Sequence, residues 1–71
     1  MKLHYYPETD SLYIELRAGA GSEVREIAEG LHADLDGEGH VVGLDIDRAS
    51  HRLDLSTLET SSLPFVTLKA A

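Results

Sequence analysis

Between Leu31 and Ile46 the chain reads Leu31-His32-Ala33-Asp34-Leu35, then Asp36-Gly37-Glu38-Gly39-His40, then Val41-Val42-Gly43-Leu44-Asp45-Ile46. A run that alternates apolar and polar residues places every second side chain on one face of a strand, and a Gly-rich polar interruption lets such a chain reverse. The stretch is therefore a two-stranded hairpin. Its second arm is nearly continuous in apolar character. Val42, Leu44 and Ile46 share one face while Val41 and Gly43 share the other, so Val41 to Ile46 is expected at the centre of a sheet.

The rest of the chain fits around that arm. Lys2 to Tyr6 alternates, with Leu3 and Tyr5 on one side and His4 and Tyr6 on the other. Ser11 to Leu16 sets Leu12, Ile14 and Leu16 against Tyr13 and Glu15, and Pro7-Glu8-Thr9-Asp10 turns the first segment into the second. Ala18-Gly19-Ala20-Gly21-Ser22 is a flexible connection to a short strand at Glu23 to Ala28, after which Glu29-Gly30 turns tightly into Leu31. Asp47 to Arg52 predicts one helical turn capped by Asp47. Ser56-Thr57-Leu58-Glu59 has capping-box spacing for another, and each needs packing to persist. Pro64 stops any helix, leaving Pro64 to Leu68 as a sixth, edge strand or an arm laid on a neighbouring subunit. The expected class is α+β, mainly β: a five-stranded antiparallel meander with one or two short C-terminal helices. Residues 1–53 form the meander, and residues 54–71 a helical turn and arm of the same domain.

A chain of 71 residues without cysteine buries only about 60% of its unfolded surface. Neither disulfides nor thiolate metal sites reinforce it, which makes self-association the default expectation. Thirteen acidic against six basic residues give a formal charge of −7, and Lys2, Arg17, Arg25, Arg48, Arg52 and Lys69 are scattered singly. Phosphate backbones are repelled by such a surface, so nucleic-acid binding by the lone chain is not expected. A basic protein partner would be steered toward it. The longest apolar runs fall far short of a bilayer span, and Met1-Lys2-Leu3-His4-Tyr5-Tyr6 lacks the continuous apolar segment of a signal peptide. The expected address is cytoplasmic, without membrane contact.

Two separated motifs, Tyr6-Pro7-Glu8-Thr9-Asp10-Ser11-Leu12-Tyr13-Ile14 and Asp34 to Ile46 followed by Ala49-Ser50, occur in order with a Glu-rich strand between them. On these residues the chain resembles the bacterial domain-of-unknown-function family 2283 over roughly residues 3–53. Where family members usually carry Asp in the first turn, this chain has Pro7 or Tyr6, and the segment from Leu55 onward lies outside the shared pattern. The resemblance implies a β-meander with a short helix and no established activity. It also implies, for some members, an antitoxin-like role beside small toxins.

Chemistry-bearing residues are weighed against plainer roles. Counted from Asp34, the positions of Asp36, Glu38, Gly39 and Asp45 nearly reproduce an EF-hand loop. That loop needs a helix on each side, whereas these flanks alternate with a period of two, so an acidic hairpin turn accounts for the spacing. His4, His32, His40 and His51 show no local ligand spacing. Only His32, between apolar residues and beside Asp34 on one face, is worth watching. No serine occupies a nucleophile elbow, and adjacent Ser50-His51 carries no weight, because consecutive residues rarely face each other. Asp34 with Asp36, and Asp45 with Asp47, share strand faces but lack a cleft to desolvate them.

The sequence therefore favours a non-enzymatic domain that needs no cofactor or metal and acts through protein contacts. The candidate interface is Tyr6, Tyr13, Val42, Leu44, Leu63, Phe65 and Val66, since apolar groups on both sheet faces exceed what two helical turns can cover. Three roles are expected in descending order. The first is an antitoxin-like module covering a small basic protein, the second a homo-oligomer without a regulatory partner, and the third a calcium-binding or enzymatic site around Asp34 to Asp45.

Overall fold

The computed structural model describes residues 1–64 and 69. Five strands form where alternation requires them: β1 (Lys2–Tyr6), β2 (Ser11–Glu15), β3 (Glu23–Ala28), β4 (Leu31–Leu35) and β5 (Val41–Ile46). One helical turn, α1 (Ala49–Arg52), follows. All neighbouring strands are antiparallel, in the order β1-β2-β5-β4-β3. The most apolar strand, β5, thus lies in the middle. β3, β4 and β5 follow one another as a running meander, and the β1–β2 hairpin adds to the remaining side of β5.

The connection from β2 to β3 allows this order. It crosses the ends of β5 and β4, with the Leu16 amide donating to the Val42 carbonyl at 2.8 Å and the Ser22 amide to the Leu35 carbonyl at 2.8 Å. Small residues suit that path. A Cβ on Gly21 would stand 3.3 Å from the Asp34 Cβ, so the chain passes close over β4.

Register assigns the faces. Leu12 opposes Ile46, Ile14 opposes Leu44, Ala33 opposes Leu44 and Leu31 opposes Ile46, which gathers these side chains on one face. Tyr13 and His32 both oppose Asp45, and Asp34 opposes Gly43, on the other. Leu12, Ile46 and Ala49 form one cluster of the core, with Ile14 and Leu31 packed against it, and Ala33, Leu35 and Val42 are the other buried apolar residues. Ala49 is fully enclosed, so α1 sits on the apolar face as its lid.

The C-terminal third differs from expectation in two respects. Asp47 does not cap α1: its amide donates to the Gly30 carbonyl at 2.8 Å, and the N-cap is Arg48 in the left-handed conformation without a side-chain cap bond. No helix forms at Ser56 to Glu59. Asp54 accepts both the Ser56 amide and its hydroxyl, and this local side-chain bond competes with a capping box that has too few following residues to reward it. Most of the expected sixth strand or arm, Phe65 to Leu68, lies outside the described residues.

Candidate functional site

Three polar clusters and one apolar surface are candidates. The first cluster forms around Asp10, whose φ of 53° places it in the left-handed region at the end of the first turn, which Asp tolerates better than most residues. The Asp10 carboxylate accepts the Tyr5 hydroxyl at 2.7 Å, the Ser50 hydroxyl at 2.7 Å and the Ser50 amide at 3.1 Å. Its carbonyl takes the Ala49 amide at 2.8 Å. A carboxylate 40 positions away in sequence therefore does what Asp47 was expected to do. The Ser50 and Tyr5 hydroxyls hold Asp10 well below the usual carboxylate range, at about 2.

Adjacent Ser50 and His51 do meet here, contrary to the expectation for consecutive residues, because both lean toward the same carboxylate. Ser50 Oγ lies 3.3 Å and Asp10 Oδ2 3.5 Å from His51 Nδ1. A nucleophilic arrangement needs the two imidazole nitrogens used separately, one toward the hydroxyl and one toward the acid. Here both contacts fall on the same nitrogen, and the Ser50 hydroxyl proton is donated to Asp10. The cluster ties α1 to the β1–β2 turn.

The second cluster spans the central strand on the opposite face. Tyr13 on β2 donates to Asp34 on β4 at 2.7 Å, and its ring crosses β5 where Gly43 leaves room. A Cβ on Gly43 would come within 2.0 Å of the Tyr13 hydroxyl oxygen and 2.5 Å of Cζ. Glycine at position 43 is thus required by an aromatic strut laid across three strands. The bond to Asp34, reinforced by partial burial, pushes the Tyr13 phenol up to about 12.

The third cluster is the β4–β5 turn. Asp36 accepts the Glu38 and His40 amides, each at 2.9 Å, and these backbone bonds lower its carboxyl from the ordinary value. Asp34 and Asp36, which an EF-hand would aim at one ion, are thus engaged separately, one with Tyr13 and the other with the turn. Among the described residues no three His, Asp or Glu side chains gather as a metal site. His32 faces Glu26 of β3 at 3.5 Å, and His4 stacks obliquely on Tyr6 with ring centroids 4.3 Å apart.

The apolar surface lies beside α1. Leu3, Leu12, Leu53, Leu55 and Leu58 line, with Asp54, Ser56 and Thr57, a shallow groove of about 410 Å³, and Leu58 is 70% exposed. The sequence-predicted interface residues do not converge on it. Tyr6 is exposed on β1, Tyr13 is half-buried and held by Asp34, Leu44 is half-buried, and Leu63 is exposed. Val42 is 3% exposed and already covered within the chain. Phe65 and Val66 lie outside the described residues.

Asp10 was not singled out from the sequence, although the signal was present. It and Ala49-Ser50 both belong to the residues that carry the family resemblance, and the structure explains why they occur together. The sequence profile of the family described as "Protein of unknown function (DUF2283)" matches residues 2–50, a span that runs from the first residue of β1 to Ser50. The chain belongs to this family. No curated protein and no solved structure matches it. Among the described residues no helix is long and apolar enough to cross a membrane.

Proposed function

We propose that this member of the family is a non-enzymatic protein-contact module, and that its groove beside α1 receives an apolar segment of a small basic polypeptide, in the manner of an antitoxin covering its toxin. The observation that carries this reading is the exposure of Leu3, Leu53, Leu55 and Leu58 around one groove on a chain with a formal charge of −7. Exposed apolar groups that cluster are characteristic of binding surfaces, and excess negative charge steers a basic partner toward them. Support also comes from the polar clusters: Asp10, Tyr13, Asp34 and Asp36 are engaged in bonds that hold strands, turn and helix together.

Co-purification of the tagged chain from its own host, with the wild type and Leu58→Asp compared at low and high salt, tests the reading. The expected result is a small basic protein retained by the wild type, weakened by salt and lost from the variant. An acidic partner, or equal retention by Leu58→Asp, would overturn it. Self-association is a second reading, favoured by a separate observation on β3.

A further inference from the structure

We infer that β3 is a self-pairing edge, through which two copies of this chain join antiparallel about Val24 into one continuous sheet. The inference rests on the self-association reading and names its surface and register. Among the described residues β3 is the last strand in the sheet order, and all six of its residues are exposed. Its outer backbone edge is thus a template for another strand.

Geometry narrows the centre to two residues, and charge chooses Val24 between them. The pairing of β3 with β4 shifts register between Glu26 and Ala28, and such a bulge bends the strand and ends its regular edge. Toward the N-terminus regular pairing begins at Glu23 opposite Leu35, since the Ser22 amide donates to that same Leu35 carbonyl, one position out of register. The regular stretch is Glu23 to Glu26, with Val24 and Arg25 at its middle. A two-fold axis perpendicular to a sheet must pass through a residue facing its own copy, because directly opposed side chains lie on the same face.

Charge decides between the two. Centring on Val24 sets Val24 against its copy and Glu23 against Arg25 of the second chain, twice over by symmetry. Centring on Arg25 would oppose two guanidinium groups, and centring on Glu26 would oppose two carboxylates, both unfavourable arrangements. Within one chain Arg25 already bonds Glu23 at 2.8 Å, with both side chains more than half exposed. The same two groups can therefore exchange an internal partner for one across the axis. Edge charges commonly serve to prevent pairing, but here opposite signs two residues apart on one face are complementary to themselves in a single register. Val24 itself is 67% exposed and gains cover.

One strand per copy makes a small interface, below about 1,200 Å² in total, so the dimer exchanges rapidly and depends on concentration. The net negative charge of each copy opposes it. Near-physiological salt, where screening acts beyond about 8 Å, is therefore the condition in which the contacts at β3 prevail.

Charge exchange in the full-length chain tests the register. Sedimentation velocity should show the wild type approaching twice its monomer mass as concentration rises, while Glu23→Arg alone and Arg25→Glu alone remain monomers. An equimolar mixture of the two variants should dimerise again, because every cross-axis pair is then opposite in sign. Glu23→Arg is the more telling variant, since it makes the chain less negative and would associate more readily if net charge governed the process. A second measurement uses the absence of native cysteine. Val24→Cys should oxidise to a linked dimer, because directly opposed residues meet the Cα spacing of a disulfide. Ile27→Cys, about 20 Å from its own copy in this register, should not. A wild type that stays monomeric throughout would overturn both the inference and the self-association reading. A wild-type dimer that survives both charge variants would overturn the β3 register alone and place self-association elsewhere.

Discussion

The three inner strands and the two outer ones are built from similar residues but answer different demands. β2, β5 and β4 carry Leu12, Val42, Ile46, Ala33 and Leu35, all buried, whereas every residue of β1 and β3 is exposed. Val24 on β3 and Val42 on β5 are the same amino acid with opposite surroundings, one 67% and the other 3% exposed. Stability is concentrated in the inner strands. The outer strands complete backbone hydrogen bonding on one side and present the other to solvent or to a second chain.

The largest effect should come from a charge placed in the inner set. Val42→Asp buries a carboxylate without a partner, a change that costs about 3–5 kcal/mol, a large share of the ~4–10 kcal/mol available to a domain of this size. The variant should be unfolded or should melt far below the wild type by circular dichroism. Retention of the wild-type midpoint would show that β5 is not the structural centre.

Next in size is Gly43→Ala, a single methyl on the same strand. The Tyr13 ring must leave its place over β5 and surrender its bond to Asp34, at a cost of about 1–3 kcal/mol by urea denaturation. The cost should fall sharply when Tyr13→Ala is already present, since residues in contact couple by about 0.5–3 kcal/mol. Additive effects would mean that the clash lies elsewhere.

Asp10→Asn sharpens the comparison at the junction between β1 and the core, with a smaller and pH-dependent effect. The folded Asp10 carboxyl titrates at about 2 against an ordinary value of 3.8, so its contribution is complete above 3.8 and is lost as pH falls through 2. The variant should therefore be less stable than the wild type at neutral pH, and the gap should close between pH 4 and 2. A gap that is constant across acid titration would remove Asp10 from the role of anchor for α1.

These same elements show what a sequence of this kind discloses. Strand positions and the central place of β5 were legible, because alternation is a local signal and a strand apolar on both faces needs neighbours on both sides. Capping of α1 was not, because the group that supplies it lies 40 residues upstream and Asp47, the local candidate, is drawn to Gly30 instead. The Tyr13–Asp34 strut was equally hidden. It links strands that become near neighbours only because β5 lies between them, and its one sequence trace is a glycine inside an otherwise apolar strand. Candidate interface residues chosen for apolar character alone mixed the two environments, Val42 being consumed by the core and Tyr6 left in solvent.

The smallest effect on stability is expected at the edge, and it separates folding from association most cleanly. Val24→Asp changes a side chain that is mostly solvated, so the penalty is limited to strand preference, about 1 kcal/mol or less. Circular dichroism should therefore report a nearly unchanged midpoint, in contrast to Val42→Asp. At the proposed axis, however, the substituted carboxylate meets its own copy, and like charges directly opposed are destabilising. Sedimentation should then show loss of the dimer while the fold is intact. Should the same variant unfold instead, β3 would be part of the stability of the single chain and the contrast between inner and outer strands would fail. Should it remain a dimer, the contrast would stand and the contact between copies would have to be sought away from Val24.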